Sequence, residues 1–119
     1  MRPRDGWRRR MVRVGWAAAA LLIAVPASGP AQTETGPRIE IKAHDFGTPE
    51  VTVRAGTRVT WINHDDDAHT VTSSTDVFRS PGLDTDDTYS YTFTQPGTYE
   101  YFCTLHPLMR GKVIVRSGA

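Results

Sequence analysis

Gly97-Thr98-Tyr99-Glu100-Tyr101-Phe102-Cys103-Thr104-Leu105-His106-Pro107-Leu108-Met109-Arg110-Gly111-Lys112-Val113-Ile114-Val115 reads as strand, short loop, strand. Aromatic and β-branched residues dominate both flanks, and Gln95-Pro96-Gly97 turns the chain into the first of them. The same grammar extends upstream. Ile39-Glu40-Ile41-Lys42-Ala43 alternates apolar and polar residues, as a half-buried strand does, and Val51-Thr52-Val53 repeats this before the turn residues Ala55-Gly56. Arg58-Val59-Thr60-Trp61-Ile62-Asn63, His69-Thr70-Val71-Thr72 and Thr88-Tyr89-Ser90-Tyr91-Thr92-Phe93 complete the set. Ser73 to Asp87 reads as a long polar connection broken by Ser80-Pro81-Gly82. No helical periodicity lasts beyond a turn or two. The expected fold is all-β: an antiparallel Greek-key sandwich or barrel of seven to eight short strands. Trp61, Tyr89, Tyr91, Tyr99 and Tyr101 are expected to pack that sandwich.

The loop inside the quoted stretch carries chemistry. Cys103, His106 and Met109 place a thiolate, an imidazole and a thioether within seven residues, and a second imidazole, His69, stands just before another β-prone stretch. Two His and one Cys in a trigonal plane with a weak axial Met are the ligands of a blue-copper electron-transfer site. Thiolate and thioether suit Cu(I), and imidazole suits both oxidation states, so one ion can cycle with little rearrangement. Pro107 stiffens the loop and Gly111 lets it re-enter the sheet. Cys103 is the only cysteine, so no internal disulfide can form; a lone thiol in an exported protein calls for an occupant, and bound metal would add to the stability of a small core. The bland alternative is a Cys packed as a small hydrophobe.

These residues carry a resemblance. Thr60-Trp61-Ile62-Asn63, the later His69, and Gly97 through Val113 resemble the plastocyanin-like cupredoxins, and among them the amicyanin group, whose short Cys-x2-His-x2-Met loop is the specific feature. The likeness runs from about Ile39 to Val115. It implies an eight-stranded cupredoxin barrel, a single type 1 copper ion held by His69, Cys103, His106 and Met109, and electron transfer in the periplasm. It further implies that both histidines bind through Nδ1, and that the exposed edge of His106, ringed by Leu105, Pro107 and Leu108, meets the protein donor and acceptor. One position departs from the group: Thr70 stands where an Asn usually ties the two ligand loops together, and its hydroxyl could reach Thr104 instead.

The first thirty-one residues read as an export signal. Six arginines against one acid precede an apolar run over Val14–Val25, followed by small residues and Pro, with cleavage after Ala27 or Ala31. Arg8-Arg9-Arg10-Met11-Val12 also fits a twin-arginine signal loosely. Residues 32–37 are then a flexible lead and 38–119 the cupredoxin domain, periplasmic and monomeric, with no membrane span once the signal is removed. From Gln32 onward the chain has 8 basic and 12 acidic side chains, near −4, so nothing points to nucleic acid, and a basic redox partner would associate faster at low salt. Copper delivery or buffering is the alternative function, but it would show Met-rich or His-rich tracts, and Met109 is the sole methionine after residue 31. A copper enzyme would need further histidines around an open position, and only His44 and His64 remain. His64, beside the Asp65-Asp66-Asp67 run, reads as part of a solvated loop, with a second, softer metal site or a partner-docking patch as the alternative. His44, near the end of the first strand, reads as an exposed or capped side chain that could lie close to the copper end. Asp84, Asp86 and Asp87 read as a solvated turn.

Overall fold

A computed structural model describes residues 15, 17–23 and 33–118. The export-signal reading of 1–31 therefore lies largely outside the described residues, and among the described residues no helix is long and apolar enough to cross a membrane. Among the described residues, eight strands form two four-stranded sheets. They are β1 (Glu34–Lys42), β2 (Asp45–Phe46), β3 (Glu50–Arg54), β4 (Thr57–Asn63), β5 (Thr72–Ser73), β6 (Thr88–Phe93), β7 (Gly97–Phe102) and β8 (Arg110–Arg116). One sheet has the order β2-β1-β4-β6 and the other β3-β8-β7-β5.

Alternation sends one face of each strand inward. Ile39 and Ile41 of β1, Val59 and Trp61 of β4, Tyr101 of β7, and Val113 and Val115 of β8 are all buried between the sheets. Trp61 lies at the centre, edge-on to Tyr101 and stacked near Phe78. Tyr89, Tyr91 and Tyr99 pack against the same cluster, as their spacing led us to expect.

The sheets are mixed rather than purely antiparallel. β1 runs parallel to β4, with Ile39 opposite Trp61, and β3 runs parallel to β8, with Val51 opposite Val113. Alternation reveals which face is buried but not the direction of the neighbouring strand, so this part of the expectation is corrected. Part of the expected flexible lead is also strand: Glu34 and Thr35 pair with Thr57 and Arg58 before a register shift ahead of Arg38. The segment expected as a strand over His69–Thr72 shortens to β5, and His69 forms an isolated bridge to Leu83 instead. The polar connection after Ser73 is no open loop. Phe78 and Leu83 are buried in the core, and Ser80 ties the segment to Val71 through Ser80 N–H to Val71 O at 2.9 Å and Val71 N–H to Ser80 Oγ at 2.8 Å.

Gly111 is the tightest point of the loop's return into β8. A Cβ there would fall on the hydroxyl end of the Tyr101 ring, which is itself locked in the core. Gly111→Ala should therefore lower folding stability by about 1–3 kcal/mol, the usual range for forced overpacking; chemical denaturation of the variant beside the parent measures it.

Candidate metal centre

Three segments deliver the candidate donors to one end of the sandwich. Cys103 follows directly on β7, His106 and Met109 lie on the loop before β8, and His69 comes from the segment ahead of β5. Reciprocal backbone bonds between His69 and Leu83, at 3.1 and 2.7 Å, hold that last segment in place. The loop closes on itself through Cys103 N–H to Met109 O at 3.1 Å and Met109 N–H to His106 O at 2.8 Å. Cys103 and His69 are fully buried, Met109 is 5% exposed, and His106 is half-buried.

The donor spacing suits a metal ion. Cys103 Sγ lies 3.7 Å from His69 Nδ1 and 3.7 Å from His106 Nδ1. Metal–thiolate and metal–imidazole bonds of about 2.3 and about 2.0 Å, meeting at the roughly 120° of a trigonal plane, separate sulfur and nitrogen by about 3.7 Å. The Thr70 N–H donates to Cys103 Sγ at 3.4 Å, a polar contact suited to a thiolate. Thr70 also performs the bridging that its hydroxyl made possible: Oγ1 lies 3.0 Å from Thr104 Oγ1 and accepts the Thr104 N–H at 2.9 Å. The two ligand-bearing segments are thus joined despite the missing Asn.

Asp65 is the supporting residue that sequence reading missed. Its Oδ2 accepts from His69 Nε2 at 2.8 Å and from His44 N–H at 2.9 Å, and its Oδ1 accepts from Ala43 N–H at 2.7 Å. Burial, the largest single influence, pushes this carboxyl up; the bonds from His44, His69 and Ala43, together with the attraction of His69, overcome it and hold the group at about 2. Ionised at neutral pH, Asp65 can only accept, so the Nε2 of His69 donates to it and Nδ1 is the ring nitrogen that faces Cys103. Asn63, fully buried, braces the same loop: its Nδ2 donates to Asp67 O and Leu83 O, both at 2.9 Å, and its Oδ1 accepts from Asp65 N–H at 2.9 Å. The only trace of Asp65's role in the sequence is its spacing of four from His69.

His44 is exposed, as expected, but it also stands over the centre. Its ring lies 5.3 Å from that of His69 and 4.8 Å from that of His106, and its Nε2 meets Asp67 Oδ2 at 2.7 Å. His64 points elsewhere, 3.4 Å from Glu40. Asp84, Asp86 and Asp87 are exposed.

This arrangement fits one copper ion. A thiol brought between two imidazole nitrogens, beside a loop methionine and away from water, is a soft and borderline donor set that accommodates both Cu(I) and Cu(II). Fold and donor set together define a small β-sandwich copper protein. The sequence matches the family described as "Cupredoxin-like domain" over residues 14–115, and the chain belongs to that family. It is similar to amicyanin of Paracoccus versutus, 43% identical over 82 residues that span 65% of this chain and 62% of that protein. It is also similar to amicyanin-alpha of Methylorubrum extorquens, 41% identical over 104 residues covering 82% of this chain and 83% of the relative. The match with the Paracoccus protein thus spans less than two thirds of that relative's length. Among solved structures, a Cu(I) form of an amicyanin variant superposes with a TM-score of 0.64 at 39% identity, covering 66% of this chain and 80% of that one. A reduced amicyanin variant gives 0.65 at 37% identity, covering 73% and 86%.

Asp65→Asn would place an amide where three donors converge. Copper affinity should fall by about 10–100-fold, the usual consequence of losing a carboxylate behind a metal-bound imidazole; competition with a chelator measures it. The copper-free protein adds a pH test. Asp65's folded value of about 2 lies below its ordinary 3.8, so its stabilisation is present above the ordinary value and is lost as pH falls through the folded one. Acid unfolding curves of parent and Asp65→Asn should therefore converge at low pH.

Proposed function

We propose that this protein is a periplasmic single-electron carrier in which His69, Cys103, His106 and Met109 hold one type 1 copper ion, and that it is not an enzyme. The observation that carries the reading is the position of Cys103 Sγ, fully buried and 3.7 Å from an imidazole nitrogen on each side. When bound, copper supplies the one-electron couple. Everything else falls to the chain. The bonds of Asp65 to His69, of Thr70 to Thr104 and of Cys103 to Met109 fix three donors that would otherwise relax between oxidation states. Low rearrangement is what fast electron transfer requires. Met109 is buried at the loop's end and would supply the thioether that tunes the potential.

Redox partners dock at the loop end. His106 is half-buried, while Leu105 is 57% and Leu108 96% exposed, with exposed Pro107 between the imidazole and Leu108. Water-exposed leucines around a ligand imidazole make an apolar ring that a donor or acceptor can cover, bringing its own redox centre close to His106. The domain acts as a monomer. Periplasmic location is supported by the arginine-rich, apolar and small-residue order of the first thirty-one residues.

Voltammetry and chelator challenge test this function. A reversible one-electron wave with copper retained against a chelator in both oxidation states is the expected result; ready release would favour copper delivery or buffering. Two substitutions sharpen the ligand assignment. Cys103→Ser should abolish the intense blue absorption. Met109→Leu should keep the colour and raise the potential, because loss of the axial donor destabilises Cu(II) more than Cu(I). A blue Cys103→Ser protein would overturn the assignment.

A further inference from the structure

His44 stands at the centre of an arrangement that the electron-carrier reading does not use. His44, Asp67 and His106 each offer a ligand atom, and all these atoms lie within 4.8 Å of one another. The buried group His69, Cys103 and His106 meets the same criterion. The two groups share His106. They also differ in exposure: His44 and Asp67 are exposed, His106 is half-buried, and Cys103 and His69 are sealed. The donors thus form a graded series from solvent to the buried sulfur.

His44 is held there by strained backbone. Ala43 and His44 both adopt left-handed φ, at 52° and 56°, a region that residues with a Cβ rarely occupy. The turn persists because Asp65 accepts both N–H groups, at 2.7 and 2.9 Å. The carboxylate that orients His69 therefore also presents His44 above it. Asp67 then meets the His44 ring at 2.7 Å. Non-glycine residues in strained turns persist where surrounding structure over-determines them, often at ligand-binding positions.

We propose that His44, Asp67 and His106 form an outer capture site that takes up Cu(II) from solution and hands it to His69, Cys103 and Met109, with His106 common to both sites. The proposal rests on the copper assignment above. Donor chemistry sets the direction. Imidazole and carboxylate bind Cu(II) ahead of the other common divalent ions, but they offer no soft ligand, whereas the inner site adds thiolate and thioether. Transfer exchanges the His44 and Asp67 contacts for His69 and Cys103, releases the Cys103 thiol proton to solvent, and changes no oxidation state. The shared imidazole allows the exchange without freeing the ion into water.

Stopped-flow mixing of the copper-free protein with one equivalent of Cu(II) tests this. The parent should show an early phase of copper binding without the blue band, followed by growth of that band. His44→Asn tolerates the left-handed turn while removing the imidazole, and Asp67→Asn removes the carboxylate. Each should slow the appearance of the blue band by on the order of tenfold, the low end of what loss of a supporting group costs a metal site. Both should reach the parent's final spectrum and amplitude, because the inner donors are intact. His64→Ala, which alters a histidine on the neighbouring loop that pairs with Glu40, should load like the parent. Equal loading rates in all four proteins would overturn the proposal, as would equal slowing by His64→Ala. A parent that never turns blue would remove the inner site first, and the capture site with it.

Discussion

The buried sulfur of Cys103 is the constraint around which this molecule is arranged. A thiolate without water, a cation or donated hydrogen bonds is costly to form, and burial alone drives a cysteine toward its inert, protonated state. Here the sulfur is fully buried, yet its polar neighbours are the Thr70 N–H and an Nδ1 atom from each of two histidines. A metal ion held between the sulfur and the two nitrogens would satisfy those contacts together. The two-sheet sandwich brings His69 to Cys103 from 34 residues away, and the bridge to Leu83 and the Thr70–Thr104 contact keep it there. Rigidity at this end of the fold is thus a condition of the chemistry.

Asp65 extends the same constraint outward. One carboxylate orients a buried imidazole and stabilises a left-handed turn carrying an exposed one. The copper end consequently has two characters. Leu105 and Leu108 present an apolar surface suited to a protein partner, while His44 and Asp67 present a polar one suited to an ion. Both meet at His106. A half-buried imidazole is a natural place for traffic of either kind.

Local spacing made much of the centre legible in the sequence. Cys103, His106 and Met109 announce themselves because their donors are three residues apart in a loop between two β-prone stretches, and the structure brings both imidazoles, His69 included, to the sulfur. Trp61 and the four tyrosines were readable as packing residues from alternation alone. What escaped was non-local. Strand direction is invisible to alternation, so the parallel β1–β4 and β3–β8 pairs came only with the structure. The polar composition of Ser73–Asp87 concealed Phe78 and Leu83, which anchor that segment in the core. Asp65 looked like an ordinary loop residue, and His44 could be placed near the copper end but not joined to it, because their meeting depends on the β1–β2 turn folding onto a loop 21 residues later.

The most direct test of the central claim is the visible and EPR spectrum of the copper-free protein after one equivalent of Cu(II), followed by ascorbate. A thiolate bound to copper between two imidazoles gives an intense blue band and a narrow copper hyperfine splitting, and ascorbate bleaches the colour reversibly. A pale solution with a wide splitting would mean that Cys103 does not bind the ion, and would contradict the account.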